Sequence, residues 1–335
     1  MNKVVCFGEL LMRLSPELNG EWISKASIST YIGGAELNAA LALSNWKIPV
    51  RYVTALPNNY LSNEILEYLA EKHLDLSSIV FKDGRIGIYI LPQGADLKNT
   101  GVLYDRAHSS FSKLQRMEID WDKVFQDVSW FHFSAICPAI NEKVAQVCKE
   151  GLQVARQKGI TISIDLNYRS KLWQYGKQPF EIMPELVSYA NLVMGNIWAA
   201  EKMLGIPISD QLQSKDDYIN ASLVTSKEII NKFPSVINVA NTFRFDKQEG
   251  IEYYSTLYNE GNLYPSRILE TKTIVDKVGS GDTFMAGLIY GMLNKLNEQE
   301  TIEFATAAAF KKLFIKGDHC TCTAEEIKKD IYRYA

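Results

Sequence analysis

Val275-Asp276-Lys277-Val278-Gly279-Ser280-Gly281-Asp282-Thr283-Phe284 is a glycine-rich turn that runs directly into an apolar segment of helical pattern, 283–296. Its glycines let the backbone aim successive N–H groups at one point. The helix start behind them adds unsatisfied donors and the positive end of a dipole. Such a cradle holds an anion and can stabilise charge on a transferring phosphoryl group. Asp282 stands at its mouth, where a carboxylate can take the proton of a hydroxyl whose oxygen attacks phosphorus. A plainer reading needs no ligand, with Asp282 as a helix N-cap and the glycines as a tight turn.

Outward from this turn, apolar β-branched runs alternate with helical patterns. Val4–Phe7, Tyr52–Ala55, Trp130–Phe133, Thr161–Ile164, Leu192–Met194 and Val236–Val239 read as buried strands. Residues 35–46, 61–73, 141–158, 197–204, 222–233, 283–296, 300–315 and 324–333 read as helices, with Ser62 and Thr323 near two of their starts. This rhythm predicts an α/β fold of three layers, α/β/α, around a mainly parallel sheet. Residues 13–33 and 84–112 break it. Ile86–Leu91 and Val102–Arg106, joined by the polar Pro92–Gly101 loop, read as a hairpin. The expected division is a main domain of 1–12, 34–83 and 113–335, with a small β lid from 13–33 and 84–112.

With 335 residues, 47% of them hydrophobic, the chain can bury a large core. Its 36 basic and 39 acidic side chains leave a net charge of -3 and no basic tract to follow a phosphate backbone, which argues against nucleic acid as a partner. The N-terminus lacks a signal-peptide pattern, and no run reaches the apolar length of a membrane span. Five cysteines, sparse and odd in number, fit reduced thiols in the cytoplasm. His319-Cys320-Thr321-Cys322 lacks a second ligand pair at zinc-site spacing, so no metal is assigned to it.

A second informative stretch is Gly33-Gly34-Ala35-Glu36-Leu37-Asn38-Ala39-Ala40. Paired glycines allow close backbone approach to a ligand, and Asn38 offers a donor and an acceptor to vicinal hydroxyls. Alone it reads equally as a loop before a small-residue packing helix. Together, in this order and embedded in this alternation, the two stretches resemble the signatures of the PfkB (ribokinase-like) family of carbohydrate kinases. Lys277 and Ser280 stand where that family commonly has Thr and Ala, and neither change removes a backbone donor. The resemblance covers essentially the whole chain and implies a ribokinase-like fold whose lid closes over a sugar.

Within the family, Phe7-Gly8-Glu9-Leu10-Leu11-Met12-Arg13-Leu14-Ser15-Pro16, Gly317-Asp318 and Thr323-Ala324-Glu325-Glu326-Ile327 are similar to the 2-keto-3-deoxygluconate kinases. Leu103-Tyr104-Asp105-Arg106 and Asp165-Leu166-Asn167-Tyr168-Arg169 resemble that group's acid-sugar pocket. The resemblance makes Gly33, Gly34, Asn38, Tyr89, Tyr104, Arg106 and Arg169 substrate contacts. The chemistry agrees, because guanidinium groups grip a carboxylate in a way a neutral hexose does not require. The plainer alternative leaves both arginines in surface ion pairs.

The expected reaction is transfer of the ATP γ-phosphoryl group to a primary hydroxyl, with Asp282 as base and Gly279, Ser280 and Gly281 supplying backbone donors. ATP, Mg2+ or another divalent cation, and room for a monovalent cation are implied by the resemblance. Asn196, Thr242, Arg244, Asp276, Gly279 and Gly281 are the expected cofactor contacts, and the lid is the expected homodimer surface. Two departures stand on the nucleotide side. Where the family has Asn-x-x-Glu, this chain reads Asn196-Ile197-Trp198-Ala199, and Glu201 lies roughly 200° around a helix from the needed position. Where it has Thr-Leu-Gly-x-x-Gly, this chain reads Ala240-Asn241-Thr242-Phe243-Arg244-Phe245, without the glycines. A fructokinase or another sugar kinase, and a sugar-binding protein with weak catalysis, are the competing readings.

Overall fold

The structure, a computed structural model, describes residues 3–17, 27–93, 101–208, 212–247 and 250–333. Strand β1 (Lys3–Phe7) faces two interiors, with Val4 and Cys6 in one and Val5 and Phe7 in the other. A strand apolar on both faces must be covered on both, and this sets the layering. β2 (Leu11–Ser15) and β3 (Ser29–Gly33) pair antiparallel outside the main sheet. α1 (Ala35–Asn45) leads to β4 (Val50–Val53), parallel to β1. β5 (Ala55–Leu56), α2 (Tyr60–Glu71) and β6 (Val80–Phe81) form a small side unit with its own parallel strand pair. β7 (Gly87–Ile90) and β8 (Leu103–Asp105) then join β2, completing a second sheet of order β3-β2-β7-β8.

The chain next alternates through α3 (Trp121–Val124), β9 (Val128–Ser134), α4 (Glu142–Gln157), β10 (Thr161–Asp165), α5 (Pro179–Val187) and β11 (Leu192–Gly195). α6 (Ile197–Leu204), α7 (Lys215–Lys232) and β12 (Asn238–Lys247) follow. β4, β1, β9, β10, β11 and β12 lie side by side and parallel. β13 (Gly250–Asn259) turns back antiparallel on β12, and β14 (Asn262–Pro265) and β15 (Leu269–Thr271) pair with it, giving a nine-stranded sheet. α8 (Ser280–Leu293), α9 (Glu298–Lys312) and α10 (Ala324–Arg333) end the fold.

One interior collects Leu37, Leu41, Phe284, Leu288, Phe304 and Ile327 from α1, α8, α9 and α10. The other collects Val147, Leu152, Leu186, Met203 and Ile229 from α4 to α7. The result is the three-layer α/β/α arrangement. α8 approaches α9 closely because Gly287 and Gly291, one turn apart, face Ala305 and Thr301, and a Cβ at either would collide.

Several boundaries differ from the sequence reading. α2 is capped by Asn59, whose side chain accepts the Ser62 N–H at 3.0 Å, so Ser62 lies inside the helix. Thr323 does cap α10, in a reciprocal pair with Glu326. α7 starts at Lys215 rather than 222, because Ser214 and Asp217 make a capping box ahead of a polar first turn without apolar periodicity. α5, with Pro179 and Pro184 in it, had no sequence counterpart, and neither had β13 to β15. The second sheet starts at Leu11, two residues before the expected lid boundary. Most of the Pro92–Gly101 loop, and residues 18–26, lie outside the described residues.

Candidate active site

The carboxyl ends of the parallel strands open into a cleft of 550 Å³, bounded by the ends of β10, β11 and β12 and the start of α8. Ligands of open α/β sheets bind at this edge. A recess of 50 Å³ adjoins it beneath the second sheet, and Tyr104, Asn167, Arg169 and Asp282 line both.

At the start of α8, Gly279 has φ +79°, and a Cβ there would run into the backbone oxygen of Asp318. Only glycine meets both conditions. The first N–H groups of α8 have no helical acceptor and face the cleft end of the helix. Ser280 contributes only its backbone, because its hydroxyl is buried and donates to the Ala309 carbonyl at 2.9 Å. A Cβ on Gly281 would meet nothing within 4 Å, so the space beside this turn is open for a phosphate. Asp276, expected at the cofactor, is instead fully buried behind the turn, paired with Arg13 at 2.7 Å. It shapes the cradle without lining it.

Asp282 is not a helix cap. It sits in the first turn of α8, half-buried, with one carboxylate oxygen accepting Nδ2–H of Asn38 at 2.7 Å. Burial pushes its pKa up to about 7, against the Asn38 hydrogen bond and with help from the neighbouring charge of Asp165. Asp165, at the end of β10, is pushed up to about 6 by burial, against the Asn167 N–H and the charge of Arg169. A base with a pKa near 7 suits proton abstraction at neutral pH. Asn38 is therefore first an orienting partner of Asp282; its Oδ1 is buried with no protein partner and borders the recess. Gly34, before α1, has φ +132° and lies against the Glu9 carbonyl, which brings the helix start up to the recess.

On the acceptor side, Arg106 is buried and pairs with Glu9 at 2.6 Å, leaving Nη1 without a partner. This is no surface ion pair. Arg169 is half-buried and donates to the Tyr168 carbonyl at 3.0 Å. Tyr104 borders the cleft, but the Tyr89 hydroxyl donates to Asp318, so Tyr89 offers the recess its ring. Gly33 packs on the Asp318 carboxylate and lines neither the cleft nor the recess.

On the nucleotide side, Asn196 caps α6, accepting the Ala199 N–H at 2.8 Å. Glu201 pairs with Lys202 at 3.1 Å and does not line the cleft. Instead of a glycine loop, β12 and β13 keep an unbroken ladder out to Lys247 and Gly250. Thr242 and Arg244 project from it into the cleft. Trp198, Lys202, Tyr253 and Lys277 also line this end and were not read as site residues; the Tyr253 hydroxyl is buried without a partner. The alternation of β13 was the signal for Tyr253, but no strand was assigned there.

Among the described residues, no group of three His, Cys, Asp or Glu could hold a metal ion. The carboxylates facing the cleft are Asp165 and Asp282, so a divalent ion here fits as a companion of bound phosphates rather than a protein-caged one.

The family model for pfkB family carbohydrate kinases matches residues 1–317. A crystal structure of 2-dehydro-3-deoxygluconokinase from Thermotoga maritima is 34% identical with a TM-score of 0.90, covering 99% of this chain and 100% of that one. A 2-dehydro-3-deoxygalactonokinase from Haloferax volcanii is 28% identical, over 98% of this chain and 96% of that protein. A 2-dehydro-3-deoxygluconokinase from Bacillus subtilis is 25% identical, over 94% of this chain and 90% of that protein.

Proposed function

The chain belongs to the pfkB family of carbohydrate kinases, and from that premise we propose that it phosphorylates a 2-keto-3-deoxy sugar acid, with 2-keto-3-deoxygluconate as the first candidate. The observation that carries the choice of an acid is the recess itself: the Arg106 and Arg169 guanidinium groups flank the space in front of Asp282. Among the described residues the buried Nη1 of Arg106 has no partner, which leaves it a donor for a ligand acceptor. A hydroxyl of a neutral hexose could accept from Nη1 too, but it brings no negative charge to the two guanidinium groups, which favours an acid over a fructokinase substrate.

In the proposed reaction the terminal hydroxyl of the sugar acid points at Asp282 and its carboxylate at the arginines. The hydroxyl oxygen forms a bond to the γ-phosphorus of ATP, its proton passes to Asp282, and the bond to the ADP oxygen breaks. Asn38 holds the carboxylate of Asp282 toward the hydroxyl, and the first-turn N–H groups of α8 face the developing charge. Mg2+ or another divalent cation would arrive with ATP and neutralise its phosphates, near Asp165 and Asp282. Thr242, Arg244 and Asn196 flank the space left for the nucleotide. Closure of the second sheet over the recess would exclude water.

That sheet presents Met12, Leu14, Ile88 and Ile90, all half-buried, and exposed Leu103 on its outer face, which supports pairing of two copies through the lid. No helix among the described residues is long and apolar enough to cross a membrane, and the five cysteines are free, which favours the cytoplasm.

ADP release in the presence of ATP and magnesium tests the function, across 2-keto-3-deoxygluconate, 2-keto-3-deoxygalactonate, fructose, ribose and a no-sugar control. Turnover restricted to the acids is expected. Preference for fructose or ribose would overturn the acid assignment. The altered nucleotide side favours one second reading, a sugar-binding protein with weak catalysis; acid binding by calorimetry without turnover would select it.

A further inference from the structure

Behind the phosphate cradle lies a charge cluster that the proposed reaction does not use. Arg13, on β2 of the second sheet, and the carboxylates of Asp276 and Asp318 are all 0% exposed. The guanidinium reaches Asp276 at 2.7 Å and Asp318 at 2.9 Å, donates to the Ser15 hydroxyl at 3.1 Å, and lies 5.0 Å over the Tyr31 ring of β3. Asp276 also accepts the Val278 N–H at 3.1 Å and the Gly317 N–H at 3.3 Å, so it fixes the turn leading into α8. Asp318 receives the Tyr89 hydroxyl of β7, and its backbone oxygen presses on Gly279. Lys312, also buried, donates to the Ile315 carbonyl at 2.9 Å and lies within electrostatic reach of both carboxylates.

We propose that Arg13 is a positioning residue for phosphoryl transfer, locking the donor cradle at Gly279–Asp282 in register with the sheet that covers the acceptor. One guanidinium holds both segments that frame the cradle, and it is rooted in the sheet whose Tyr89 lines the acceptor recess. A buried ion pair is a poor device for stability alone, because well-packed apolar residues serve as well or better. Its two fixed donor directions are well suited to setting the relative position of two loops. Burial opposes the charge on Arg13, but Asp318 and Asp276 outweigh it and hold the group more firmly protonated than usual.

The test compares wild type with Arg13→Lys and Arg13→Ala, after thermal melts identify which variants are folded. Arg13→Lys keeps the charge but replaces the rigid guanidinium fork with a compact ammonium on a flexible stem, which does not fix the two carboxylates at the same separation. It should lower kcat about 10²-fold, the cost of a small misplacement of reacting groups, while the acceptor KM hardly moves. In Arg13→Ala, low millimolar guanidinium should restore a saturable part of kcat, and sodium chloride at equal ionic strength should not. Asp318→Asn keeps size and shape and should repeat the kcat loss if Arg13→Ala does not fold. Affinity for a non-hydrolysable ATP analogue, measured by calorimetry with and without acceptor, gives a readout independent of turnover. In wild type the acceptor should tighten the analogue, and in Arg13→Lys it should not. A folded Arg13→Lys enzyme with wild-type kcat, or with wild-type coupling between the two ligands, would overturn the proposal. The inference rests on the kinase reading but not on the acid: loss of turnover in wild type would count against the substrate, whereas a difference between wild type and Arg13→Lys bears on Arg13.

Discussion

At the acceptor end of the cleft, polar groups are buried and partnered with one another: Glu9 with Arg106, Asn38 with Asp282, Tyr89 with Asp318. At the nucleotide end, Thr242 and Arg244 stand on the open face of a hairpin backed by Phe243, Tyr254, Tyr218 and Phe245, and Lys277 joins them from the loop before α8, paired with Asp246 at 2.9 Å. The first arrangement tolerates little change, because removing any partner strands a buried polar group. The second is made mainly of side chains on regular strands, where a substitution alters contacts without leaving a hole. Donor binding should therefore be adjustable and acceptor chemistry should not.

The comparison breaks first at Asp282. Asp282→Asn should lower kcat about 10²–10⁴-fold with little change in either KM, because it removes a proton acceptor and keeps the shape that pairs with Asn38. Steady-state kinetics on the folded variant decides it, and a turnover within a few-fold of wild type would remove Asp282 from the base role. Arg169→Ala comes next. It should raise the acceptor KM about 10- to 100-fold, the worth of a charged hydrogen bond of 1.5–3 kcal/mol, and leave the ATP KM nearly unchanged. Arg169 is the cleaner target, since truncating Arg106 would leave the Glu9 carboxylate buried and unpaired. An equal rise in both KM values would show a general loss of structure instead of a lost carboxylate contact.

The pH profile sharpens the same end. With its pKa pushed up to about 7, Asp282 is protonated below neutrality in the folded protein. Proton abstraction requires the ionised form, so kcat/KM should fall about tenfold per pH unit below that value. The stability effect has the opposite sign. Between its ordinary value of 3.8 and about 7 the folded state holds the proton more tightly than the unfolded chain, so this contribution is lost as pH rises through 7. Melting curves of ligand-free wild type against Asp282→Asn isolate it. A flat acid limb down to pH 5 would mean that Asp282 is ionised throughout.

The same contrast explains what could be read in advance. The parallel layers follow from runs such as Val4–Phe7 and Thr161–Ile164, apolar on both faces and short. Gly279 and Asp282 were legible because backbone conformation and charge development both constrain their type. Asp276 was misplaced, because sequence proximity to the cradle does not say which side of the turn a carboxylate faces; Arg13, more than 260 residues away, decides that. The hold of Asn38 on Asp282 had no sequence signal, because the two are 244 positions apart. Thr242 and Arg244 were legible on β12, but β13 was not, because an alternating strand carries no glycine signal and Tyr253 faces the cleft through its register with Arg244.

The smallest expected effect probes whether the nucleotide end lacks something or is complete as built. Ala199 lies in the first turn of α6, is 3% exposed and lines the cleft, and it stands where the resemblance leads one to expect a glutamate. A carboxylate there would face the phosphates and their cation from a helix start already capped by Asn196. If the site handles its divalent ion through phosphates and water, Ala199→Glu should lower the KM for MgATP by about 1.5- to 5-fold, the worth of a charge contact of 0.2–1 kcal/mol. It should also lower the magnesium concentration at half-maximal rate, and leave the acceptor KM unchanged. Initial rates over a magnesium titration at fixed ATP measure all three. A higher KM for MgATP at every magnesium concentration would mean that the added charge only repels the phosphates, and that Thr242, Arg244 and Lys277 already form a finished donor site of a different design.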